Sequence, residues 1–217
     1  MLLLYLHGTT RTDALGHMCY EDARYNGYPA SSTVGRLERA SVLPLARRAI
    51  VGRAVLLDIA RHRGKAHRER GETFGLGDLL DTARAGRRRR APRIVLLRTG
   101  WSAGFYENRE EFERPPWSEP GLLWSSELVD WFRDLEIPAL GADALAFEVT
   151  QQPGHGDNSV LHGALARDLG IVFSELLWLE DLAVDCAADG HHTVLYAAAP
   201  LKVFRASGAP TNPLAIG

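Results

Sequence analysis

Cysteine is scarce: the 217 residues contain only Cys19 and Cys186, far apart and in no CxxC spacing. That excludes a disulfide framework and a structural zinc knuckle, and it fits a reducing, cytoplasmic setting. Long apolar runs are missing too. Met1 to Leu6 is too short for a signal-peptide core and has no basic region before it, and no stretch approaches the roughly 20 apolar residues of a spanning helix. Net charge is nearly absent, at -2 with a pI near 6.4, so the electrostatic case for a nucleic-acid or membrane partner falls away. No internal repeat or long linker divides the chain.

What is present is an ordinary globular composition, 46% apolar and 24% charged, which predicts one domain over residues 1–217. Short β-branched or leucine-rich runs predict strands at Leu2 to Leu6, Ala54 to Ile59, Ile94 to Leu97, Pro138 to Leu140, Thr193 to Ala198 and Leu201 to Phe204. Helical spacing predicts helices near Leu76 to Arg84 and over Leu122 to Leu135. Asp157-Asn158-Ser159 reads as an N-cap for a helix from Val160 to Leu169, with a new element beginning at Ile171. Tyr20 to Ser32 is turn-rich and aromatic, a loop folding over something. Arg87 to Arg90 reads as a solvated helix end rather than a phosphate site, since cations are favoured at a helix C-terminus. The loose alternation of strands and helices predicts an α/β class with a mixed sheet flanked by helices.

Chemistry concentrates in HGTTRTDALGH, His7 to His17, which holds two imidazoles, one carboxylate and three threonines just after a predicted buried strand. Neutral imidazole nitrogen and carboxylate oxygen together suit borderline and hard divalent cations. The same residues also fit a polar loop in which Asp13 caps a helix and the histidines are incidental. His162, in the first turn of a predicted helix, and Glu175, at the next element, add two long-range candidates. Each alone fits a buried core histidine or a capping acid; jointly they supply the further ligands that a mononuclear site needs.

HGTTRTDALGH resembles HxGTHxDxPxH, the signature of the metal-dependent cyclase and kynurenine formamidase-like amidohydrolase family, with His7, Asp13 and His17 in register. YNGYPAS resembles a loop of the longer members, and LHGALARDLGIVFSELLWLEDL resembles the second signature, a histidine followed by an acid. IVLLRTGW, the GADAL turn and the ending APLKVFRASGAPTNPLAIG follow the family's general run, so the likeness covers nearly the whole chain. The resemblance implies a swivelling β/β/α fold, a homodimer or homotetramer, and a zinc or manganese site that hydrolyses amides, lactams or lactones of small cyclic or aromatic acids. It places metal ligands at His7, Asp13, His162 and Glu175, and the catalytic proton carrier at His17. Tyr20, Tyr25, Trp101 and Phe105 fall on segments resembling pocket-lining loops and are the candidate substrate contacts.

Departures accompany the matches. Arg11 stands at the signature's central ligand histidine, and a guanidinium has no lone pair for a metal. Thr9 replaces the glycine and Leu15 the proline. The segment that precedes the signature in long members is short here, so a substrate wall is absent, supplied by a partner subunit, or replaced by the Tyr20 to Tyr28 loop. Three readings follow: a metal-dependent hydrolase; a metal-independent cyclase, dehydratase or isomerase in which Arg11 holds an anionic group while His17 and Glu175 act as acid and base; and a non-catalytic binding protein on the same fold.

Overall fold

The computed structural model describes residues 3–33, 37–85, 93–113, 118–149 and 159–217. Its strands, in chain order, are β1 (Arg11–Asp13), β2 (Cys19–Tyr20), β3 (Ala23–Arg24), β4 (Ile50–Asp58), β5 (Thr73–Phe74), β6 (Ile94–Arg98), β7 (Gly121–Leu122), β8 (Ala139–Ala142), β9 (Val172–Glu175), β10 (Thr193–Ala198), β11 (Gly208–Pro210) and β12 (Leu214–Ile216). The helices are α1 (Val42–Arg48), α2 (Ile59–His62), α3 (Leu76–Ala85), α4 (Trp101–Glu107), α5 (Arg109–Glu113), α6 (Ser126–Asp134), α7 (Val160–His162) running on as a π-helical turn over Gly163–Asp168, and α8 (Glu180–Asp189). No helix of the described residues is long and apolar enough to cross a membrane.

Eight strands form one mixed sheet in the order β11-β1-β9-β8-β6-β4-β10-β12. Its centre, β4, β6, β8 and β9, is parallel, and β1 and β10 join antiparallel on either side. Side chains alternate between faces along each strand, so Val55, Leu57, Val95, Leu97 and Phe173 meet Leu79, Leu128, Phe132 and Leu165 in one core layer. Ala54, Leu56, Ile94, Leu96 and Val172 meet Ala183, Cys186 and Tyr196 in the other. Burial on both faces is why these central strands read as unbroken apolar runs. Each fully buried leucine contributes roughly 1.5–3 kcal/mol.

Four sequence expectations are corrected by this arrangement. The described part of Leu2 to Leu6 forms no strand: Leu3 and Tyr5 are 85% and 82% exposed, and no neighbouring strand pairs with them. The first strand is instead the polar β1. Leu201 to Phe204 is irregular as well, with Leu201 and Phe204 turned outward, and β11 and β12 close the sheet in its place. The helix expected from Leu122 begins at Ser126, because Leu122 pairs in β7 and the Ser125 side chain caps the helix by accepting from the Leu128 N–H at 3.2 Å. At α7 the Ser159 side chain makes no capping bond; Glu148 does that work from a distant segment. Asp157, Asn158 and the Arg87 to Arg90 run lie outside the described residues.

Candidate active site

The functional side chains gather where the parallel part of the sheet meets β1, at the C-terminal ends of β6, β8 and β9. Open α/β sheets gather ligands at such ends because the loops there converge. β1 lies between β9 and β11, with Arg11 opposite Glu175, Thr12 opposite Ser174, and Asp13 opposite Gly208. Arg11, Thr12 and Asp13 are all buried. Charged residues are buried only when paired. The Arg11 guanidinium donates to Glu175 through Nη2 and, at 2.8 Å, to the Leu145 carbonyl; its Nε lies 3.4 Å from Asp13 Oδ1.

His7 comes in from the irregular segment before β1. Its Nδ1 lies 2.9 Å from Asp13 Oδ1, its Nε2 lies 3.0 Å from Ser207 Oγ, and its ring stacks on His17 with centroids 4.6 Å apart. His7 Nδ1 and both Asp13 oxygens are buried without a hydrogen-bond partner, so the 2.9 Å approach lacks the alignment of a hydrogen bond. Burial raises the Asp13 carboxyl, but His7, His17 and Arg11 outweigh it and bring it to about 2. Burial drives His17 down to about 4, leaving its imidazole neutral at pH 7. Gly208 makes this packing possible: a Cβ there would come within 2.5 Å of His7 Cε1 and 3.0 Å of Asp13 Oδ1.

On the other side of Asp13, His162 is held between two acids. Its Nδ1 lies 2.7 Å from Glu148 Oε1 and its Nε2 lies 3.2 Å from Glu175 Oε1. Glu148 also accepts the backbone N–H groups of Leu161 and His162 at 2.8 and 2.9 Å, which fixes the first turn of α7. Burial disfavours the charged imidazole, yet Glu148 and Glu175 prevail and push His162 up to about 10. Burial lifts Glu175 to about 7 against the pull of His162 and Arg11.

Two overlapping groups therefore have ligand atoms within 4.8 Å of one another: His7, Asp13 and His17, and Asp13, His162 and Glu175. Asp13 is common to both. Every catalytic and metal candidate from the sequence, Arg11 included, lies in this cluster.

The substrate candidates separate. Trp101 and Phe105 line a cavity of about 290 Å³ together with Tyr106, Phe112, Trp178 and Glu119. Thr9, Thr10 and Leu176, chain neighbours of the cluster residues, form its inner border. Trp101 is set there by Asp143, a fully buried carboxylate that accepts from the Thr99 and Gly100 N–H groups at the start of α4. Tyr20 lies elsewhere, beside α7: its hydroxyl donates to Asp168 at 2.6 Å and the Arg167 guanidinium covers its ring at 4.0 Å. Tyr25 packs against Gly170, where a Cβ would lie 2.5 Å from its ring.

Sequence reasoning missed Ser207, Gly208, Glu148 and Glu119. Only Ser207-Gly208 carried a local signal, a small pair inside the segment that follows the family's run. The two glutamates act across the fold and no spacing marks them.

The family profile described as "Putative cyclase" matches residues 2–149. A solved structure of a novel cyclase is 30% identical, covers 99% of this chain and 71% of its own, and superposes with a TM-score of 0.86. Isatin hydrolase A from Ralstonia solanacearum is 21% identical over 96% of this chain and 71% of its own, with a TM-score of 0.66. A potential metal-dependent hydrolase with cyclase activity is 22% identical over 98% and 79%, with a TM-score of 0.58. These last two attest the fold alone. Among curated proteins, none matches significantly.

Proposed function

Because this chain belongs to the cyclase family, we propose that it is a metal-dependent hydrolase opening an amide, lactam or lactone bond of a small cyclic or aromatic acid. One observation carries the reading: His7, Asp13 and His17 bring ligand atoms within 4.8 Å of one another, and the chain between His7 and Arg11 lines an aromatic-walled cavity. Support also comes from structural neighbours named isatin hydrolase and metal-dependent hydrolase.

The donor set fits a divalent cation on one side of Asp13. There, His7 Nδ1 and Asp13 Oδ1 face each other at 2.9 Å, and the His17 ring makes no hydrogen bond among the described residues. On the other side, Glu175 is already engaged by Arg11 and His162. His7, Asp13 and His17 would thus hold the ion, and zinc or manganese suits two imidazoles and a carboxylate. When bound, such an ion supplies an acidified water and polarises a carbonyl.

The chain's own residues do the rest. Ser207 orients the His7 ring through Nε2, so that Nδ1 faces Asp13. Glu148 fixes His162, whose Nε2 lies 3.2 Å from Glu175 Oε1, and this pair holds a proton one chain neighbour behind Leu176 of the cavity wall. Arg11 keeps Glu175 in place and balances its charge. Trp101, Phe105 and Phe112 bind the apolar part of the substrate and exclude water from it.

Elemental analysis of protein purified without added metal tests this reading, with Arg11→His prepared alongside. Stoichiometric zinc or manganese in the wild type is expected. A metal-free wild type beside a variant that acquires metal would sink it and favour a second reading, which rests on the guanidinium buried between Asp13 and Glu175. In that reading Arg11 holds an anionic substrate group, and activity survives a chelator.

A further inference from the structure

Among its described lining residues the aromatic cavity has one carboxyl group, that of Glu119, and neither metal holding nor proton carriage has used it. Glu119 is 6% exposed. Its Oε2 accepts the N–H groups of Leu145 at 2.8 Å and Ala146 at 3.1 Å, which fixes the carboxylate plane. Its Oε1 has no partner among the described residues, and the residue faces the cavity. Of the neighbouring polar side chains, Thr10 Oγ1 donates to the Leu176 carbonyl, Ser102 Oγ to the Asp143 carbonyl and Trp178 Nε1 to Asp181, whereas Trp101 Nε1 is a buried donor without a partner among the described residues. Glu119 thus stays the carboxylate acceptor of this wall.

We propose that Glu119 Oε1 accepts the N–H of the substrate's amide or lactam, making Glu119 the residue that selects nitrogen-bearing rings over lactones and N-alkylated rings. The inference rests on the hydrolase reading above and narrows its substrate class. The rings of Trp101, Phe105, Phe112 and Trp178 present flat apolar surface, and a single fixed anionic acceptor at its rim suits a planar ring with an N–H in its plane. An aromatic box with one carboxylate also suits an organic cation. With Oε2 taken by two backbone N–H groups, one carboxylate oxygen remains, which suits a single N–H donor better than a cation to be surrounded. A site built around a fixed acceptor rejects ligands that lack the donor, because the acceptor is left unpaired and desolvated.

Binding of three size-matched probes to the full-length wild-type protein tests this at pH 8, by calorimetry and by tryptophan fluorescence: oxindole, N-methyloxindole and 2-indanone. Oxindole is expected to bind about ten- to a hundredfold tighter than the other two, the range for a hydrogen bond to a charged group. Glu119→Gln turns an amide N–H₂ toward the cavity and is expected to cut that preference below about threefold. The wild-type comparison needs no variant, so it decides the matter even where the substitution prevents folding. Equal affinity for the three probes, no binding of any of them at millimolar concentration, or tighter binding of a quaternary ammonium would each overturn the proposal. Metal content and turnover are read separately: an intact oxindole preference in a metal-free, inactive protein sinks the hydrolase reading and leaves this contact standing, whereas metal-dependent turnover without the preference does the reverse.

Discussion

Arg11 and Glu175 face each other across the ladder between β1 and β9, and the guanidinium that meets the Glu175 carboxylate also lies 3.4 Å from Asp13. Both side chains are buried, so removing one leaves an uncompensated charge in a dry site. Arg11→Met is expected to lower stability by about 3–5 kcal/mol. Adding Glu175→Gln should recover much of that loss. Urea unfolding of the two single variants and the double variant checks this; simple additivity would mean that the pair is not coupled.

Gly208 lies under His7 and Asp13 with no room for a methyl group. Gly208→Ala should push the two donors apart, costing about 1–3 kcal/mol of stability from overpacking and most of the bound metal. Metal content by elemental analysis, measured next to the unfolding midpoint, separates the two effects. Full metal occupancy in this variant would count against His7 and Asp13 as joint donors.

His17 is a donor in the proposed set, whereas the family resemblance makes it the proton carrier. His17→Ala is expected to lose metal as well as activity. A variant that keeps stoichiometric metal while its rate falls by about 10²–10⁴ would assign His17 to proton carriage instead.

Glu148 receives two backbone N–H groups and the His162 ring, so it caps a helix and orients a histidine at once. Glu148→Ala strands these buried donors and is expected to destabilise the chain by about 2–4 kcal/mol. Glu148→Gln keeps an acceptor and should recover part of that. Circular dichroism melts of both variants report the difference.

Burial lifts Glu119 from its ordinary 4.5 to about 7, against its two backbone donors and Arg11. The folded chain therefore binds this proton more tightly than the unfolded one. The associated stability is fully present below pH 4.5 and lost as pH rises through about 7. The loss is of order 3 kcal/mol. Glu119→Gln removes the titrating group, so its urea midpoint should fall less across that interval than the wild type's; parallel curves would contradict the assignment.

Much of this was legible in the chain itself. The strands β4, β6 and β10 and the helix α3 follow from apolar patterning, because a doubly buried strand and an amphipathic helix leave period and composition in the sequence. His7, Arg11, Asp13, His17, His162 and Glu175 were legible as a set through their resemblance to two signatures. Illegible were the features fixed by tertiary partners. β1 is a three-residue polar strand in which only Thr12 favours extended structure; it forms because β9 and β11 pair with both of its edges. Leu3 and Tyr5 look like core and are not, since apolar composition does not itself create a sheet neighbour. Glu148 replaces the expected local cap of α7 from a strand-side segment. Tyr20 and Tyr25 turned to α7 and Gly170 instead of the cavity of Trp101, which depends on how a turn-rich segment folds back.

The pairing of β1 with β11 sets Asp13 opposite Gly208, so the proposed donor cluster is closed by residues far away in sequence, 200 positions in the case of His7 and Ser207. A nascent polypeptide leaving the ribosome can lay down β4, β6 and β8 early, but it cannot cover the second edge of β1 until β11 emerges. Until then the charged strand has one open edge. The reactive groups therefore reach working order only after β11 has been made, and a chain cut before Ser207 would be expected to keep much of its core while losing the seat of His7.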